Sequence, residues 1–364
     1  MKVRFRYLER DPSLKKNNKE LSSFILKGKF LDEKIKNSFE NKIKSYLNSK
    51  FFISISSGTN AIYLALKSAG IKKNDEVIVP CLSWMTTFTS VKALGAIPVG
   101  VDVDNDYHLD LSKIKERVGP KTKAIIYVHF AGLQKDLKKL KAFCDKKKIF
   151  LIEDCAQSFG SLIKKKFSGD YGHFGIYSFN PMKVLSSYGE LGGITFKSKN
   201  FKEKINILKY GGIQNKEIVI DPELNHKSDN INLKIINLKL PNLKEVIKKR
   251  IKIAKFYNQN LDEKYYRPKF LNNGSHIYYS YIIQTNLRDK LIKFLKKNNI
   301  ETKIQHQNLI YQHKMLKHLN HKKYFSNGNK LKNKILSLPI DENLNLNEIK
   351  YIVKKLNQFC KKFL

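Results

Sequence analysis

Residues 149–193 read IFLIEDCAQSFGSLIKKKFSGDYGHFGIYSFNPMKVLSSYGELGG and decide the fold predicted for this chain. The stretch opens with an apolar strand that ends in acids, Ile149 to Asp154, and reaches a second apolar run, Phe174 to Phe179. Beyond that run, Lys183 stands in a loop rich in Ser, Pro and Gly. Ligands of parallel α/β sheets collect outside the carboxyl ends of the strands. Asp154 and Lys183 are therefore the first candidates for a functional site.

Strand and helix patterns alternate steadily on the N-terminal side of this stretch. We predict strands at 51–56, 76–80, 97–103, 123–129 and 149–154, and helices at 31–47, 61–69, 86–94 and 136–147. Continuous apolar strands between amphipathic helices indicate an α/β fold with a mostly parallel central sheet covered by helices on both faces. The pattern is weak from 201 to 220, and residues 221–230 form a long polar loop.

The C-terminal third does not continue the regular alternation of strands and helices seen in the N-terminal part. A helix that begins near Pro241 and ends near Leu261 is predicted to link a large domain, 1–245, to a smaller α+β domain, 246–364. Within the smaller domain we predict a strand at 277–285, a helix at 289–298, a short strand at 300–304 and a closing helix at 346–363.

Composition excludes several classes of partner. The 364 residues carry a formal charge of +38, which would favour nucleic acid or an anionic membrane surface. However, only seven of the 70 basic residues are arginines and the lysines are spread along the chain, whereas nucleic-acid sites favour clustered arginine. No apolar run is long enough for a membrane span, and the four cysteines lack metal-ligand spacing. We expect a cytoplasmic protein without a nucleic-acid, membrane or metal partner.

A lysine in a ligand site indicates Schiff-base chemistry, whose commonest protein use is with pyridoxal phosphate (PLP). That cofactor needs an amine, a carboxylate for its ring nitrogen, a surface for its ring and a cradle for its phosphate. The sequence offers these candidates in that order: Lys183, Asp154, Trp84, and the turn Gly58-Thr59 at a helix N-terminus with Ser178. Each also has a simpler interpretation, as a solvated lysine, a helix cap, a core ring or an ordinary N-cap.

Several longer segments carry a resemblance to a known family. They include SSGTNAIYLALKSAGI (56–71), LIEDCAQSFGS (151–161), GHFGIYSFNPMKVLSSYGELGGI (172–194) and LPNLKEVIKKRIKIAKFYNQNL (240–261). In this order they resemble the DegT/DnrJ/EryC1/StrS family of PLP-dependent sugar aminotransferases. The resemblance covers nearly the whole chain and implies the PLP-transferase fold type I of aspartate aminotransferase.

The resemblance also implies roles for individual residues. Lys183 bonds to PLP and moves the proton, Asp154 pairs with the pyridinium nitrogen, and Gln157 faces the ring hydroxyl. Trp84 stacks on the ring, while Gly58, Thr59 and Ser178 hold the phosphate. Asn225 matches an asparagine that reaches the phosphate in the neighbouring subunit, which implies a homodimer with shared sites. His306 matches a histidine near the sugar nucleotide.

The chain departs from the family's pattern in three places, of which one is Leu191 where many members have glycine, and two other functions stay open. The family usually has a Gly-Tyr-Asn-Phe-Arg-Met type run where this chain has Glu223 to Ser228, and Gln307 and Leu309 replace an aromatic residue and a proline. The implied activity is transfer of an amino group from L-glutamate, or glutamine, to a keto group of a nucleotide-linked deoxysugar, for aminosugars of surface glycans. The alternatives are a PLP-dependent nucleotide-sugar dehydratase of the same family, in which histidine replaces this lysine, and a non-catalytic PLP-binding sensor or regulator.

Overall fold

A computed structural model describes residues 1–215, 217–319 and 324–364 of the chain. The strands are β1 (Phe51–Ile55), β2 (Glu76–Pro80), β3 (Ile97–Val101), β4 (Thr122–Val128), β5 (Phe150–Asp154), β6 (Leu162–Ile163), β7 (Lys166–Phe167), β8 (Phe174–Ser178), β9 (Gly192–Phe196), β10 (Ile213–Gln214), β11 (Ile218–Val219), β12 (Tyr281–Gln284) and β13 (Ile335–Leu338). The α-helices are α1 (Pro12–Leu26), α2 (Glu33–Tyr46), α3 (Gly58–Ser68), α4 (Thr86–Ala93), α5 (Leu111–Arg117), α6 (Lys138–Lys147), α7 (Lys199–Lys209), α8 (Asn230–Lys239), α9 (Leu243–Asn260), α10 (Arg288–Lys297), α11 (Ser326–Leu331) and α12 (Leu346–Phe363).

Seven strands form the central sheet in the order β1-β9-β8-β5-β4-β2-β3. Strand β9 runs antiparallel to both of its neighbours, and the other pairs are parallel. Along β4, Ala124 and Ile126 pack into one apolar cluster while Ile125 and Tyr127 pack into another, so both faces of the sheet are buried. This confirms the predicted α/β class and explains why the strands read as continuous apolar runs.

The C-terminal part has its own apolar core around the antiparallel pair β12 and β13. Helices α9, α10 and α12 contribute to that core, and so does the N-terminal segment, because Val3 and Tyr7 are buried in it. Val3 also forms a parallel bridge with Ile300. The N-terminal segment, predicted with the large domain, thus packs on the C-terminal core at these two residues. The domain boundary at 245 stays a prediction.

Some local predictions are wrong. Residues 300–304 form no strand; they make only isolated bridges, which join Ile300 to Val3 and Lys303 to Ser337. Helix α1 was not expected in the polar N-terminal region, although Asp11 caps it and Pro12 occupies its first position. Among the residues described above, no helix is both long enough and apolar enough to cross a membrane.

Candidate active site

A cleft of about 550 Å³ lies at the carboxyl ends of β1, β4, β5 and β8. Of the nine predicted site residues, eight line it: Gly58, Thr59, Trp84, Asp154, Gln157, Ser178, Lys183 and His306. They come from five separate parts of the sequence. The parallel sheet brings most of them together, because successive parallel strands end at the same edge.

The turn after β1 is shaped to receive an anion. Ser57 caps α3, with its Oγ accepting the N–H of Asn60 at 3.1 Å, so the helix begins at Gly58 inside the cleft. A side chain at Gly58 would not fit, since an added Cβ would lie 2.8 Å from the Cβ of Ser178. The missing side chain lets the helix N-terminus approach the Ser178 hydroxyl closely. Free N–H groups and the helix dipole then favour a negative group at this point.

Asp154 ends β5 and is buried, with 6% of its surface exposed. One carboxylate oxygen accepts the backbone N–H of Ala156 at 3.0 Å, which fixes the side chain toward the cleft. Burial raises the pKa of this carboxyl, while the Ala156 hydrogen bond and the nearby charges of Lys183 and His129 oppose the rise. The carboxylate is therefore placed where a cationic ligand group would be stabilised.

Lys183 is positioned by a compact turn after β8. The Asn180 carbonyl accepts the N–H of Lys183 at 2.8 Å, and the Asn180 side-chain oxygen accepts the N–H of Met182 at 3.0 Å. Pro181 stands between them and restricts the backbone of the turn. The Lys183 side chain is half-buried and its Nζ lies 5.1 Å from the centre of the Tyr279 ring.

The Gln157 side chain is held by an unusual backbone conformation. Its Oε1 accepts the N–H of Ala131 at 2.7 Å, and Ala131 has a left-handed φ of 55°. Such a conformation costs free energy for a residue with a side chain and often marks a functional site. With its oxygen engaged by Ala131, Gln157 lines the cleft as a hydrogen-bond donor through its amide nitrogen.

His306 and Trp84 line the cleft near each other, with ring centres 6.3 Å apart. His306 also packs edge-on against Phe130 at 5.2 Å. Burial, with smaller contributions from Lys183 and Lys303, lowers the pKa of His306 to about 3, so the ring is neutral at physiological pH. Its Nε2 atom is buried and has no hydrogen-bond partner among the described residues. Trp84, by contrast, is 51% exposed, which contradicts its alternative interpretation as a core ring.

Asn225 is the predicted site residue that does not line the cleft of its own chain. It is exposed, its backbone bridges to Tyr210, and its side-chain oxygen accepts the N–H of Lys227 at 3.0 Å. The surrounding loop is fixed on α3, because Glu223 contacts Lys67 Nζ at 2.8 Å and Tyr63 Oη at 3.0 Å. The role of Asn225 in a neighbouring subunit stays a prediction.

Polar or aromatic residues that line the cleft without having been predicted include Asn180, Glu190, Tyr279, Lys303 and Gln305. The first two flank Lys183 in the sequence and hydrogen-bond to each other through their side chains. The other three come from the C-terminal part, where no strand-end pattern marks them.

A buried cluster beside the cleft brings three potential metal ligands, His129, Glu153 and Cys155, within 4.8 Å of one another. Glu153 accepts the Nε2–H of His129 at 2.8 Å and the backbone N–H groups of Gly169 and Gly172. This carboxylate therefore satisfies buried donors and organises the turn that leads to β8. We retain the prediction that the protein has no metal site.

The sequence of the chain matches the model of the DegT/DnrJ/EryC1/StrS aminotransferase family over residues 13–357. The chain belongs to this family. A pleiotropic regulatory protein of Geobacillus stearothermophilus is 30% identical over 89% of both chains. A dTDP-3-amino-3,6-dideoxy-alpha-D-galactopyranose transaminase of Aneurinibacillus thermoaerophilus is 27% identical over 88% of this chain and 89% of its own.

Among solved structures, NtdA from Bacillus subtilis with bound cofactor PMP superimposes with a TM-score of 0.92. It is 25% identical, and the match covers 99% of this chain and 85% of that chain. A DegT DnrJ EryC1 StrS aminotransferase from Brucella abortus, 27% identical, superimposes with a TM-score of 0.89 over 98% of this chain and 99% of its own, so the fold of this family extends over nearly all of this chain. This confirms the predicted PLP-transferase fold.

Proposed function

We propose that the protein is a PLP-dependent aminotransferase that transfers an amino group from L-glutamate, or glutamine, to a keto group of a nucleotide-linked deoxysugar. Lys183 and the buried carboxylate of Asp154 share one cleft with an anion-binding helix N-terminus, and this observation carries the proposal. Family membership and the relatives named as a transaminase and a cofactor-bound structure support it. The product would serve aminosugar and surface glycan biosynthesis.

The residues of the cleft fit pyridoxal phosphate. The Gly58 turn has no room for a Cβ beside Ser178, so the helix N-terminus lies close to the Ser178 hydroxyl, and with Thr59 these groups suit the phosphate. Asp154 suits a protonated ring nitrogen, because a cation relieves the cost of burying this carboxylate. The exposed face of Trp84 offers a stacking surface, and the Gln157 amide offers a donor to the ring hydroxyl.

When bound, pyridoxal phosphate supplies an electron sink for the carbon that bears the transferred amino group. The chain supplies binding, orientation and proton movement. Asp154 would serve as the counter-ion of the ring nitrogen, and the Lys183 amine would take and return the proton at the reacting carbon. The neutral His306, whose buried Nε2 has no hydrogen-bond partner among the described residues, would orient the sugar substrate by a hydrogen bond.

The wild-type protein, incubated with PLP and desalted, is expected to show a visible absorbance band that Lys183→Ala abolishes. Lys303→Ala is the matched control, because it removes a lysine of the same cleft and should leave the band in place. Addition of L-glutamate should bleach the wild-type band, and a panel of nucleotide-linked ketosugars should restore it. A wild-type protein without the band would overturn the proposed function.

The second candidate function is that of a non-catalytic regulator, since one relative is named a pleiotropic regulatory protein. A regulator could bind PLP and show the band without completing the cycle of bleaching and recovery. The same spectroscopic experiment therefore separates the two functions. A PLP-dependent dehydratase is disfavoured because the position that carries histidine in such enzymes is Lys183 here.

We further propose that the protein acts as a homodimer with Asn225 contributed to the partner's cleft. Support comes from the exposed apolar residues next to Asn225, which are Ile218, Val219, Ile220 and Leu224. Contiguous exposed apolar surface of this kind is typical of protein interfaces. Four buried free thiols also favour a reducing compartment, for which we propose the cytoplasm.

Mixing two defective variants tests the shared site. If Asn225 acts across the interface, dimers formed from Lys183→Ala and Asn225→Ala subunits contain one cleft with both residues intact. A fraction with wild-type cofactor affinity should then appear only after the variants are unfolded and refolded together. If Asn225 acted in its own chain, no mixture would contain an intact cleft, and cofactor affinity would not recover.

A further inference from the structure

Arg6 makes an unexpected contact with the catalytic turn. One guanidinium nitrogen, Nη2, donates to the main-chain carbonyl of Lys183 at 3.1 Å. The other, Nη1, contacts Asp341 at 2.9 Å and Glu342 at 2.8 Å in the loop after β13. The side chain is 10% exposed. Arg6 therefore joins the backbone of Lys183 to a loop of the C-terminal part.

Arg250 on α9 contacts the same carboxylate oxygen of Glu342 as Arg6 does. Its Nη2 lies 2.6 Å from Glu342 Oε2, and its Nη1 donates to the main-chain carbonyl of Tyr278 at 3.1 Å. Tyr279, the next residue, presents its ring 5.1 Å from Lys183 Nζ. Arg6, Glu342 and Arg250 thus form a chain of contacts between the main chain of Lys183 and the main chain of Tyr278, the residue before the ring that faces the lysine amine.

The charges of this bridge are balanced and buried. Burial opposes ionisation of Glu342, but Arg250 and Arg6 outweigh it and lower its pKa to about 2. Arg6, Arg250, Asp341 and Glu342 together carry two positive and two negative charges. Buried ion pairs often contribute little net stability, because desolvation offsets their attraction. These ion pairs contribute more to the positioning of the groups they join, since an arginine fork holds its partners in defined directions.

We propose that the Arg6–Glu342–Arg250 bridge is a positioning device that fixes the Lys183 backbone relative to the Tyr279 ring. This inference rests on the proposed role of Lys183 as the reacting amine. Arg6 and Arg250 hold main-chain atoms and do not touch the reacting groups, so they are positioning residues. Small displacements of a reacting group can cost about 100-fold in rate, which sets the scale of the expected effect.

The test compares Arg6→Gln with two controls on the same segment, each as PLP-loaded full-length protein. Arg4 is 47% exposed and pairs with Glu9, so Arg4→Gln tests loss of charge alone. Arg10 pairs with the buried Glu348 and does not contact Lys183, so Arg10→Gln tests loosening of the segment. The readouts are the rate of L-glutamate-dependent bleaching, the pH midpoint of the visible band, and Tm of the PLP-free protein.

We expect Arg6→Gln to slow bleaching about 10- to 100-fold and to shift the pH midpoint of the band. Arg4→Gln and Arg10→Gln should keep both values, even where Arg10→Gln lowers Tm. If Arg6→Gln lowers Tm but leaves the rate and the midpoint unchanged, the bridge is only structural and the inference is wrong.

A second variant covers the case in which Arg6→Gln does not fold. Arg6→Lys keeps the positive charge between Asp341 and Glu342 but lacks the fork that reaches Lys183 as well. It should retain Tm and lose rate, and an unchanged rate would overturn the inference. If the wild type shows the band and the Arg6 variants keep its bleaching rate and pH midpoint, only this inference is wrong. If the wild type shows no band, the proposed function is wrong as well.

Discussion

The cleft has a strand-end wall, with Gly58, Asp154 and Ser178, that is held by backbone geometry. The facing wall, with Tyr279, Lys303 and Gln305, is held by contacts between side chains that are far apart in the sequence. Asp154 and Ser178 are the last residues of β5 and β8, and Gly58 follows β1 of the same sheet. In the facing wall, Gln305 donates to Ser280 at 3.0 Å, and Ser280 hydrogen-bonds to Ser337 at 2.8 Å. Local sequence patterns therefore reveal the first wall but not the second.

The largest effect is expected from removing the charge of the strand-end wall. Asp154→Asn keeps the size of the side chain but no longer stabilises a protonated ring nitrogen. We expect the rate of L-glutamate-dependent bleaching to fall about 100- to 1000-fold, the scale of losing one preorganised electrostatic group. Asp170→Asn is the control, since Asp170 lies in the same stretch and pairs with surface lysines. An unchanged bleaching rate in Asp154→Asn would show that Asp154 takes no part in the reaction.

The support of the facing wall can be weakened separately through Glu342, which contacts Arg250 and, through it, the main-chain carbonyl of Tyr278. The folded pKa of Glu342, about 2, lies below the ordinary value of 4.5, so its stabilisation is complete above pH 4.5 and is lost as the pH falls towards 2. Glu342→Gln should lower the free energy of unfolding by about 3 kcal/mol at pH 7, because Arg6 and Arg250 lose this carboxylate partner. It should also flatten the pH dependence of stability between 4.5 and 2.

Urea unfolding of the PLP-free protein at several pH values measures both effects. Glu245→Gln is the control, because Glu245 is an exposed acid of α9 that pairs with Lys248 on the surface. Equal pH profiles for wild type and Glu342→Gln would show that the ion pairs with Arg6 and Arg250 do not stabilise the fold. PLP affinity, which depends on the strand-end wall, should change little in this variant.

A smaller effect is expected from closing the phosphate cradle. Gly58→Ala places a Cβ 2.8 Å from the Cβ of Ser178, and both atoms are attached to regular elements that resist displacement. Overpacking of this kind costs about 1–3 kcal/mol, and here the strain should appear as weaker PLP binding. Gly119→Ala is the control, since its added Cβ would have no neighbour closer than 3.9 Å. Unchanged PLP affinity in Gly58→Ala would place the phosphate elsewhere.

Most of the central sheet could be predicted because its strands are buried on both faces and its helices are amphipathic. The closing helix was predicted at 346–363, where α12 lies, since its apolar residues recur at helical spacing. Residues 300–304 were misread as a strand because Ile300 and Ile304, with three polar residues between them, give too short a pattern to distinguish a strand from isolated bridges. Helix α1 was missed because it is polar for most of its length; Phe24 is buried, whereas Ile25 and Leu26 near its end are exposed.

The residues of the site also fall into a group that the sequence predicts and a group that it does not. Asp154, Ser178 and Lys183 could be predicted from strand ends and from family resemblance, and the cleft contains them all. Tyr279 and Lys303 were missed because their positions depend on how the C-terminal part packs on the sheet. Arg6 was missed for the same reason, since its contact with Lys183 joins residues 177 positions apart. Sequence spacing carries no signal for such a contact.

The smallest expected effect concerns Trp84, which lies where the two walls meet and has its ring centre 6.3 Å from that of His306. Trp84→Ala should weaken PLP binding by roughly 0.5–1.5 kcal/mol, the usual value of an aromatic stacking contact. Tm of the PLP-free protein should hardly change, since the side chain is 51% exposed. Tyr266→Ala is the matched control, with the same 51% exposure but a position outside the cleft. If Trp84→Ala binds PLP as tightly as the Tyr266→Ala control does, the PLP ring stacks on another surface. Trp84 would then belong, with His306, to the sugar-binding side of the cleft.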